Sequence, residues 1–275
     1  MPGRDPDGRY VAWARQREDG GRGFGTSCGH FYDNWKNPSF RKLILNAIAW
    51  TSRIPVPAEG VEASFYEHDQ ITLALAGSVG TERAVVEMEP IKVLIVTGHQ
   101  YPGHKWELTS PVIKSALERD PRIQVNVTEN VEDLGVDKIR EFDLLVFNYC
   151  NWEKPGLSDQ AKAGFTRFLS DGGGLILVHF ANGAFHSSLP GAGDSDWPEY
   201  RKICRRVWDH AEGKSGHDAY GTFTVEIHDK KHPIIRGMKD FETIDELYFR
   251  QQGTEPIEIL ATARSKVTGK DEPMA

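Results

Sequence analysis

Short apolar runs alternate with segments of helical periodicity along much of the chain. The runs have the length and composition of buried strands, and they lie at 91–96, 122–128, 142–149 and 175–178. Between the first two, Ser110-Pro111 offers an N-cap followed by a proline in the first turn. Before the last run, Ser158 can cap a helix that ends at Gly172. Strands and helices that alternate at this length predict an α/β fold, a doubly wound and mainly parallel sheet with helices on both faces.

The N-terminal part of the chain has a separate pattern. Residues 10–15 and 23–28 have the composition of two strands joined by a glycine-rich turn, and Asn37-Pro38 begins a helix with one apolar face. Pro55 and Pro57 then open a segment that is interpreted as a linker, with weak strand signals at 71–76 and 84–88. The predicted organisation is therefore two strands and a helix in 1–54, a linker in 55–90, and the body of the sheet in 91–275.

Composition and charge exclude several classes of protein. Hydrophobic residues make up 39% of the 275 residues, enough for a sizeable core. The net charge of −7 argues against nucleic acid as a partner. No apolar run is long enough to span a membrane, and the first ten residues lack the apolar stretch of a signal peptide. Three widely spaced cysteines indicate reduced thiols and a cytoplasmic protein, unless the chain is a fragment with a signal upstream.

Four segments carry a resemblance to a known family. They are VTGHQYPGHKWELTSP (96–111), GGGLILVHFANGAF (172–185), the run 215–249 that contains DELY, and 21–50 with its GTSCGHF segment. Together they resemble the ThuA-like (trehalose-utilisation) family. That family has a flavodoxin-like fold and is related to the class I glutamine amidotransferases. The resemblance implies a role in the catabolism of trehalose, another disaccharide or a keto-sugar, with a small sugar or sugar derivative as the partner.

The order of the segments departs from the family. There the part that resembles 10–54 closes the domain, whereas here it comes before the part that resembles 91–275. Two explanations fit: a fragment of a tandem protein, which the proline-rich stretch favours, or a circular permutant. In either case residues 10–54 are expected to dock on the sheet of 91–275 as its missing edge. A tandem domain or a second copy of the chain is the expected macromolecular partner.

Candidate site residues gather at the predicted strand ends, where open α/β sheets bind ligands. Histidine is the usual acid–base group near neutral pH and a common metal ligand, and aromatic rings stack on the apolar faces of sugars. The residues predicted as catalytic are His179, His99 and Glu107. The residues predicted to bind substrate are Gln100, Trp106, Tyr149, Trp152, Phe180, His186, Glu246 and His30. The residues predicted to bind a divalent metal, with zinc as the candidate, are His99, His104 and His179.

Some of these predictions keep an alternative. Glu107 could instead be an exposed carboxylate in the first turn of a helix, where the helix dipole favours it. The aromatic residues could belong to the core. In the DELY segment, either Glu246 or Tyr248 could point into the cleft. No fixed ligand spacing such as HExxH is present, so a metal site depends on the expected convergence of the histidines.

His179 is the most informative position. In the amidotransferases a cysteine occupies the tight turn after an apolar strand, and here the apolar strand leads into His179. Without a thiol at that turn there is no thioester, so the protein is not expected to be a glutamine amidotransferase. Cys150 follows a different strand and is expected to be a small buried residue.

Two hypotheses of different classes remain. The first is an enzyme that acts on a sugar through a histidine-rich cleft, for example a metal-dependent sugar hydrolase or isomerase. The second is a non-catalytic carbohydrate-binding or accessory module of a tandem multidomain protein. Tight sugar binding without turnover or bound metal would favour the second.

Overall fold

The computed structural model describes residues 12–29, 32–65, 90–190, 195–228 and 231–272. The strands are β1 (Ala12–Gln16), β2 (Arg22–Thr26), β3 (Ile91–Val96), β4 (Ile123–Thr128), β5 (Leu144–Phe147), β6 (Gly174–Val178), β7 (Gly216–His217), β8 (Gly221–Ile227), β9 (Phe241–Asp245), β10 (Tyr248–Phe249), β11 (Glu258–Arg264) and β12 (Asp271–Glu272). The α-helices are α1 (Pro38–Thr51), α2 (Trp106–Leu117), α3 (Asp159–Ser170) and α4 (Pro198–Cys204). Short 3-10 helices are Tyr32–Lys36, Val131–Gly135, Asp137–Glu141, His179–Gly183 and Pro233–Ile235.

One large sheet runs through the described part of the chain in the order β4-β3-β5-β6-β2-β1-β11-β8-β9, and β12 pairs with β11. The first five strands in this order are parallel, and the others pair antiparallel. Every residue of β5 and β6 is buried, because helices and loops cover both faces of the central parallel strands. The mostly parallel sheet with its helices confirms the predicted doubly wound, flavodoxin-like α/β fold.

The N-terminal hairpin lies inside this sheet. β2 pairs with β6 in parallel from Gly23 opposite Leu175 to Thr26 opposite Val178, and β1 pairs antiparallel with β11. The hairpin therefore docks on the sheet, as the sequence predicted. It lies in the interior of the sheet, however, and not at the edge where the sequence had placed it. Both of its strands have a second partner, so it joins the parallel half of the sheet to the antiparallel half.

Helix α1 follows the sequence signals closely at its start. The side-chain oxygen of Asn37 accepts hydrogen bonds from the backbone N–H groups of Ser39 and Phe40, as expected for an N-cap. At the other end, Arg53 has a left-handed φ of 61°. Its N–H donates to Trp50 O, and the next N–H donates to Ala49 O, which is the Schellman arrangement normally built on glycine.

The predicted linker is described only in part. Its first residues pack against the body, since Val56 is buried and its carbonyl accepts a hydrogen bond from Arg236 Nη1. The weak strand signals at 71–76 and 84–88 lie outside the described residues. No helix in the described ranges combines the length and apolar character that a membrane crossing requires.

Candidate functional site

His179 stands at a sharp turn beyond the end of β6. Its φ is 48°, in the left-handed region that a residue with a Cβ seldom adopts, and its side chain is buried. The turn carries the ring across the end of the neighbouring strand β2, where His179 Nδ1 lies 2.7 Å from Ser27 O. Backbone strain of this kind concentrates at functional sites.

A second histidine faces the first. His104 Nε2 lies 3.3 Å from His179 Nε2, and the rings meet edge to face. His104 is buried in the loop after β3, and its Nδ1 lies 3.4 Å from Gln100 Oε1. The structure thus brings together His104, His179 and Gln100, which the sequence placed on the ends of two different strands.

The outer contacts determine which nitrogen of each ring carries a proton. A carbonyl oxygen only accepts, so His179 Nδ1 donates to Ser27 O. With the Gln100 amide oriented as it is here, His104 Nδ1 likewise donates to Oε1. If both rings are neutral, both Nε2 atoms present lone pairs to each other at 3.3 Å, which is unfavourable. The pair is therefore suited to share an additional proton or to bind a cation.

Tyr248 also contacts His179, at the same ring nitrogen that faces His104. Its hydroxyl lies 3.3 Å from His179 Nε2, and burial raises the pKa of this hydroxyl well above its ordinary value, so it stays a donor. The antiparallel pair β7–β10 sets Tyr248 opposite His217. His217 Nδ1 in turn lies 3.7 Å from a carboxylate oxygen of Glu246. Glu246 and Tyr248, the two alternatives in the DELY segment, thus both belong to this cluster.

Aromatic side chains form one wall of the cleft. The Tyr101 ring lies 4.8 Å from Trp152 and 5.2 Å from His104, and Phe180 lies 4.8 Å from His104. Tyr101 is 39% exposed, so the wall opens to solvent. On the far side, Trp208 packs 4.5 Å from Tyr248. An aromatic wall beside polar histidines suits a ligand with one apolar face and several hydroxyl groups.

A buried carboxylate supports the strand-end loop behind the cleft. Asp245, the last residue of β9, accepts hydrogen bonds from Gly29 N at 3.3 Å and from Asn34 Nδ2 at 2.6 Å. It also accepts one from Glu246 N at 2.8 Å. Burial raises the pKa of Asp245 to about 7 despite these hydrogen bonds. Asp245 therefore connects the loop after β2 to the DELY segment.

The predicted metal ligands do not all meet. His99 lies half-buried beside Lys154 and Glu153, and burial lowers its pKa. No contact joins His99 to His104 or His179 among the residues that the structure describes. In the same residues no group of three or more histidine, cysteine, aspartate or glutamate side chains is arranged to hold a metal ion. His104 and His179 are therefore in direct contact, and the part of His99 in a metal site stays a prediction.

Several other predicted residues lie away from the pair. Tyr149 is buried in the core and stacked on Phe185, which favours the core alternative stated for the aromatic residues. Glu107 is exposed in the first turn of α2, which agrees with the alternative stated for it, and Trp106 beside it is half-buried. His186 is buried with its Nδ1 2.6 Å from Ser188 Oγ. His30 lies outside the described residues.

Sequence reasoning did not include Tyr101, Trp208 or His210 among the candidate site residues. His210 lies 5.5 Å from Trp152 and 5.3 Å from Phe180, and burial lowers its pKa to about 4. Tyr101 could have been found, because it directly follows Gln100 at a predicted strand end. Trp208 and His210 follow no strand, so only the fold brings them to the cleft.

The mainly parallel sheet, with a histidine in the tight turn after a central strand, defines an α/β protein whose cleft lies at its strand ends. The profile of the ThuA family, described as trehalose utilisation, matches residues 92–275. Because this match covers more than half of the chain, the protein belongs to the ThuA family. That membership supports a carbohydrate-related role.

A solved structure agrees with the fold. The chain is similar to a putative ThuA-like protein from Bacteroides uniformis, with 17% sequence identity and a TM-score of 0.50. The similarity covers 66% of this chain and 71% of that one. At this identity it supports the fold alone. No curated protein matches the chain significantly in sequence.

Proposed function

We propose that the cleft binds a sugar or keto-sugar and catalyses its hydrolysis or isomerisation, with His104 and His179 as the reactive pair. The observation that carries this proposal is the distance of 3.3 Å between their Nε2 atoms. Each ring is oriented by a hydrogen bond at Nδ1, so both reactive nitrogens point into the same space.

The pair fits a divalent metal such as zinc. Two histidine nitrogens bound tetrahedrally at about 2.0–2.1 Å from zinc lie roughly 3.3 Å apart. Metal-binding histidines also usually donate their other ring nitrogen to an oxygen, as His179 does to Ser27 O and His104 does to Gln100 Oε1. Two protein ligands would leave positions for substrate oxygens or water. A bound metal would supply Lewis-acid polarisation of a sugar carbonyl or hydroxyl.

The same residues can also act through a proton. When the pair carries one additional proton, one Nε2 is a donor and the other an acceptor, which gives an acid and a base in one cleft. The Tyr248 hydroxyl donates toward His179 Nε2 and favours the neutral form of that ring. Near Tyr248, His217 Nδ1 lies 3.7 Å from a carboxylate oxygen of Glu246.

The aromatic wall supports a sugar as the ligand. Tyr101 and Trp152 can stack on the apolar C–H face of a sugar ring, and His104 lies directly beside Tyr101. The description of the family as trehalose utilisation points in the same direction. We therefore expect trehalose, a related disaccharide or a keto derivative as the substrate.

The test combines elemental analysis of the purified protein with turnover of trehalose and its keto derivative. His179→Ala and His104→Ala should abolish turnover, and any bound zinc should be lost with it. His99→Ala is the matched control and should keep both, since His99 lies apart from the pair. Turnover that persists in the His104→Ala, His179→Ala double variant would contradict the proposal. Sugar binding without turnover or metal in the wild type would favour a carbohydrate-binding module.

A further inference from the structure

A cavity of about 330 Å³ lies on one face of the sheet between α3 and α4. It shares no lining residue with the histidine cleft. Leu175 and Leu177 of β6, Leu169 of α3 and Ile203 of α4 contribute its apolar sides. A cavity of this size with apolar walls falls within the range that binds small molecules.

The shape of the cavity follows from an alternation in the hairpin. Trp13, Arg15 and Arg17 share one side of the first strand, since side chains alternate along a strand. β2 presents Gly23 opposite Arg15 and Gly25 opposite Trp13. The side chains of the first strand therefore face a partner strand that has bare backbone on this side.

Gly21, Gly23 and Gly25 alternate along this part of the chain. Side chains cover Gly21 and Gly25, whereas the space above Gly23 is open. A Cβ at Gly25 would lie 2.2 Å from the Trp13 ring, and a Cβ at Gly21 would lie 1.8 Å from the Arg17 guanidinium. Gly23 lies between them, and the nearest atom to a Cβ there would be a backbone oxygen at 3.8 Å. The result is a slot above Gly23, walled by an indole on one side and a guanidinium on the other.

Within the described part of the chain, some of the positively charged side chains around this slot have an ion-pair partner, and Arg15 does not. Arg17 forms an ion pair with Asp19, and Lys202 forms one with Glu199. Arg15 has no ion pair or hydrogen bond among the described residues, and its Nε atom is buried. A buried guanidinium N–H without an acceptor is unfavourable, and a bound anion would satisfy it.

A second arginine reinforces the positive potential. Arg205 lines the same cavity, and burial together with the positive charge of Arg15 lowers its pKa. Its Nη1 donates to Pro256 O, so it is fixed in place near Arg15. Glu255 also lines the cavity, and its carboxylate acts in the opposite direction because it raises the pKa of Arg205.

We propose that this cavity binds a small organic carboxylate with a flat apolar body. The body would occupy the slot above Gly23 against the Trp13 indole, and the carboxylate would accept hydrogen bonds from Arg15. A single negative charge matches Arg15, the one arginine of this cavity that has neither an ion pair nor a hydrogen bond among the described residues. A phosphate dianion fits less well, because Asp19, Glu199 and Glu255 also line the cavity.

The first experiment compares 4-phenylbutyrate with the neutral 4-phenylbutanamide by calorimetry on the full chain. The carboxylate should bind about tenfold or more tightly than the amide, since a hydrogen bond to a charged group is stronger than one between neutral groups. Arg15→Met should reduce the affinity for the carboxylate to that for the amide. Arg264→Met removes an exposed arginine outside the cavity and should leave both affinities unchanged.

Gly23→Val tests the slot independently of charge. The residue lies in a strand, has no positive φ, and has room for a Cβ, so the variant should fold with an unchanged or higher melting temperature. It should abolish binding of both probes. Equal affinities for the two probes, or unchanged binding in a folded Gly23→Val variant, would overturn the proposal.

Discussion

Asp245 makes the stability of this protein depend on pH in a calculable way. Its carboxyl group is 1% exposed, and burial raises its pKa from the ordinary 3.8 to about 7. Between these two values the unfolded chain releases the proton and the folded protein keeps it. The contribution of Asp245 to the free energy of unfolding should therefore be fully present below pH 3.8 and should be lost as the pH rises toward 7.

The magnitude follows from the difference of about 3 pH units. At about 1.36 kcal/mol per unit, the total loss is about 4 kcal/mol, and roughly 2 to 3 kcal/mol of it falls between about pH 5 and pH 8. Asp245→Asn replaces the carboxyl with an amide that does not titrate and should remove this loss. The amide has only one oxygen for three N–H donors, so the variant should also be less stable than wild type at low pH.

The assay is urea unfolding of wild type and Asp245→Asn across that pH range, followed by circular dichroism. The quantity to compare is the difference between the two proteins at each pH, because buried histidines contribute a slope of opposite sign. Asp240→Asn is the control, since Asp240 is an exposed carboxylate near the start of the same strand that also accepts a backbone N–H. A constant difference between wild type and Asp245→Asn would refute the reasoning.

Three further predictions concern stability. Arg53→Gly should raise the free energy of unfolding by about 0.5–1 kcal/mol in a urea melt, because glycine adopts the left-handed φ without strain. A lower free energy of unfolding would mean that the hydrogen bond from Arg53 to Gly20 O stabilises the fold by more than the strain destabilises it. Asn37→Ala should lower the free energy of unfolding by about 1 kcal/mol, since two N–H groups at the start of α1 lose their acceptor. An unchanged free energy of unfolding would refute the role of Asn37 as an N-cap. Burial lowers the pKa of His210 from 6.5 to about 4, so between these values the unfolded chain binds a proton that the buried ring does not. The folded protein therefore loses stability as the pH falls through this window. His210→Gln should be less sensitive to acid than wild type in melts at both ends of the window, and equal sensitivity would contradict the effect.

The central parallel strands β5 and β6 could be recognised from the sequence, because they are buried on both faces and appear as apolar runs. The start of α1 was equally clear from Asn37-Pro38. The position of the N-terminal hairpin was not clear, since a strand carries no local signal that says whether it has one neighbour or two. The site divided in the same way: His179 and His104 followed strands as expected, whereas Tyr149 also followed a strand but turned into the core.

The sequence by itself determined the doubly wound fold class, the histidine in the turn after β6, and the gathering of polar residues at the strand ends. These features depend on local periodicity and on the order of residues along the chain. Only the tertiary structure decided which histidines meet, which aromatic rings face the cleft, and that Arg15 lies opposite Gly23 beside an open slot. Those outcomes depend on loop paths and on the register between strands distant in sequence, and a one-residue change of register would turn each side chain to the opposite face.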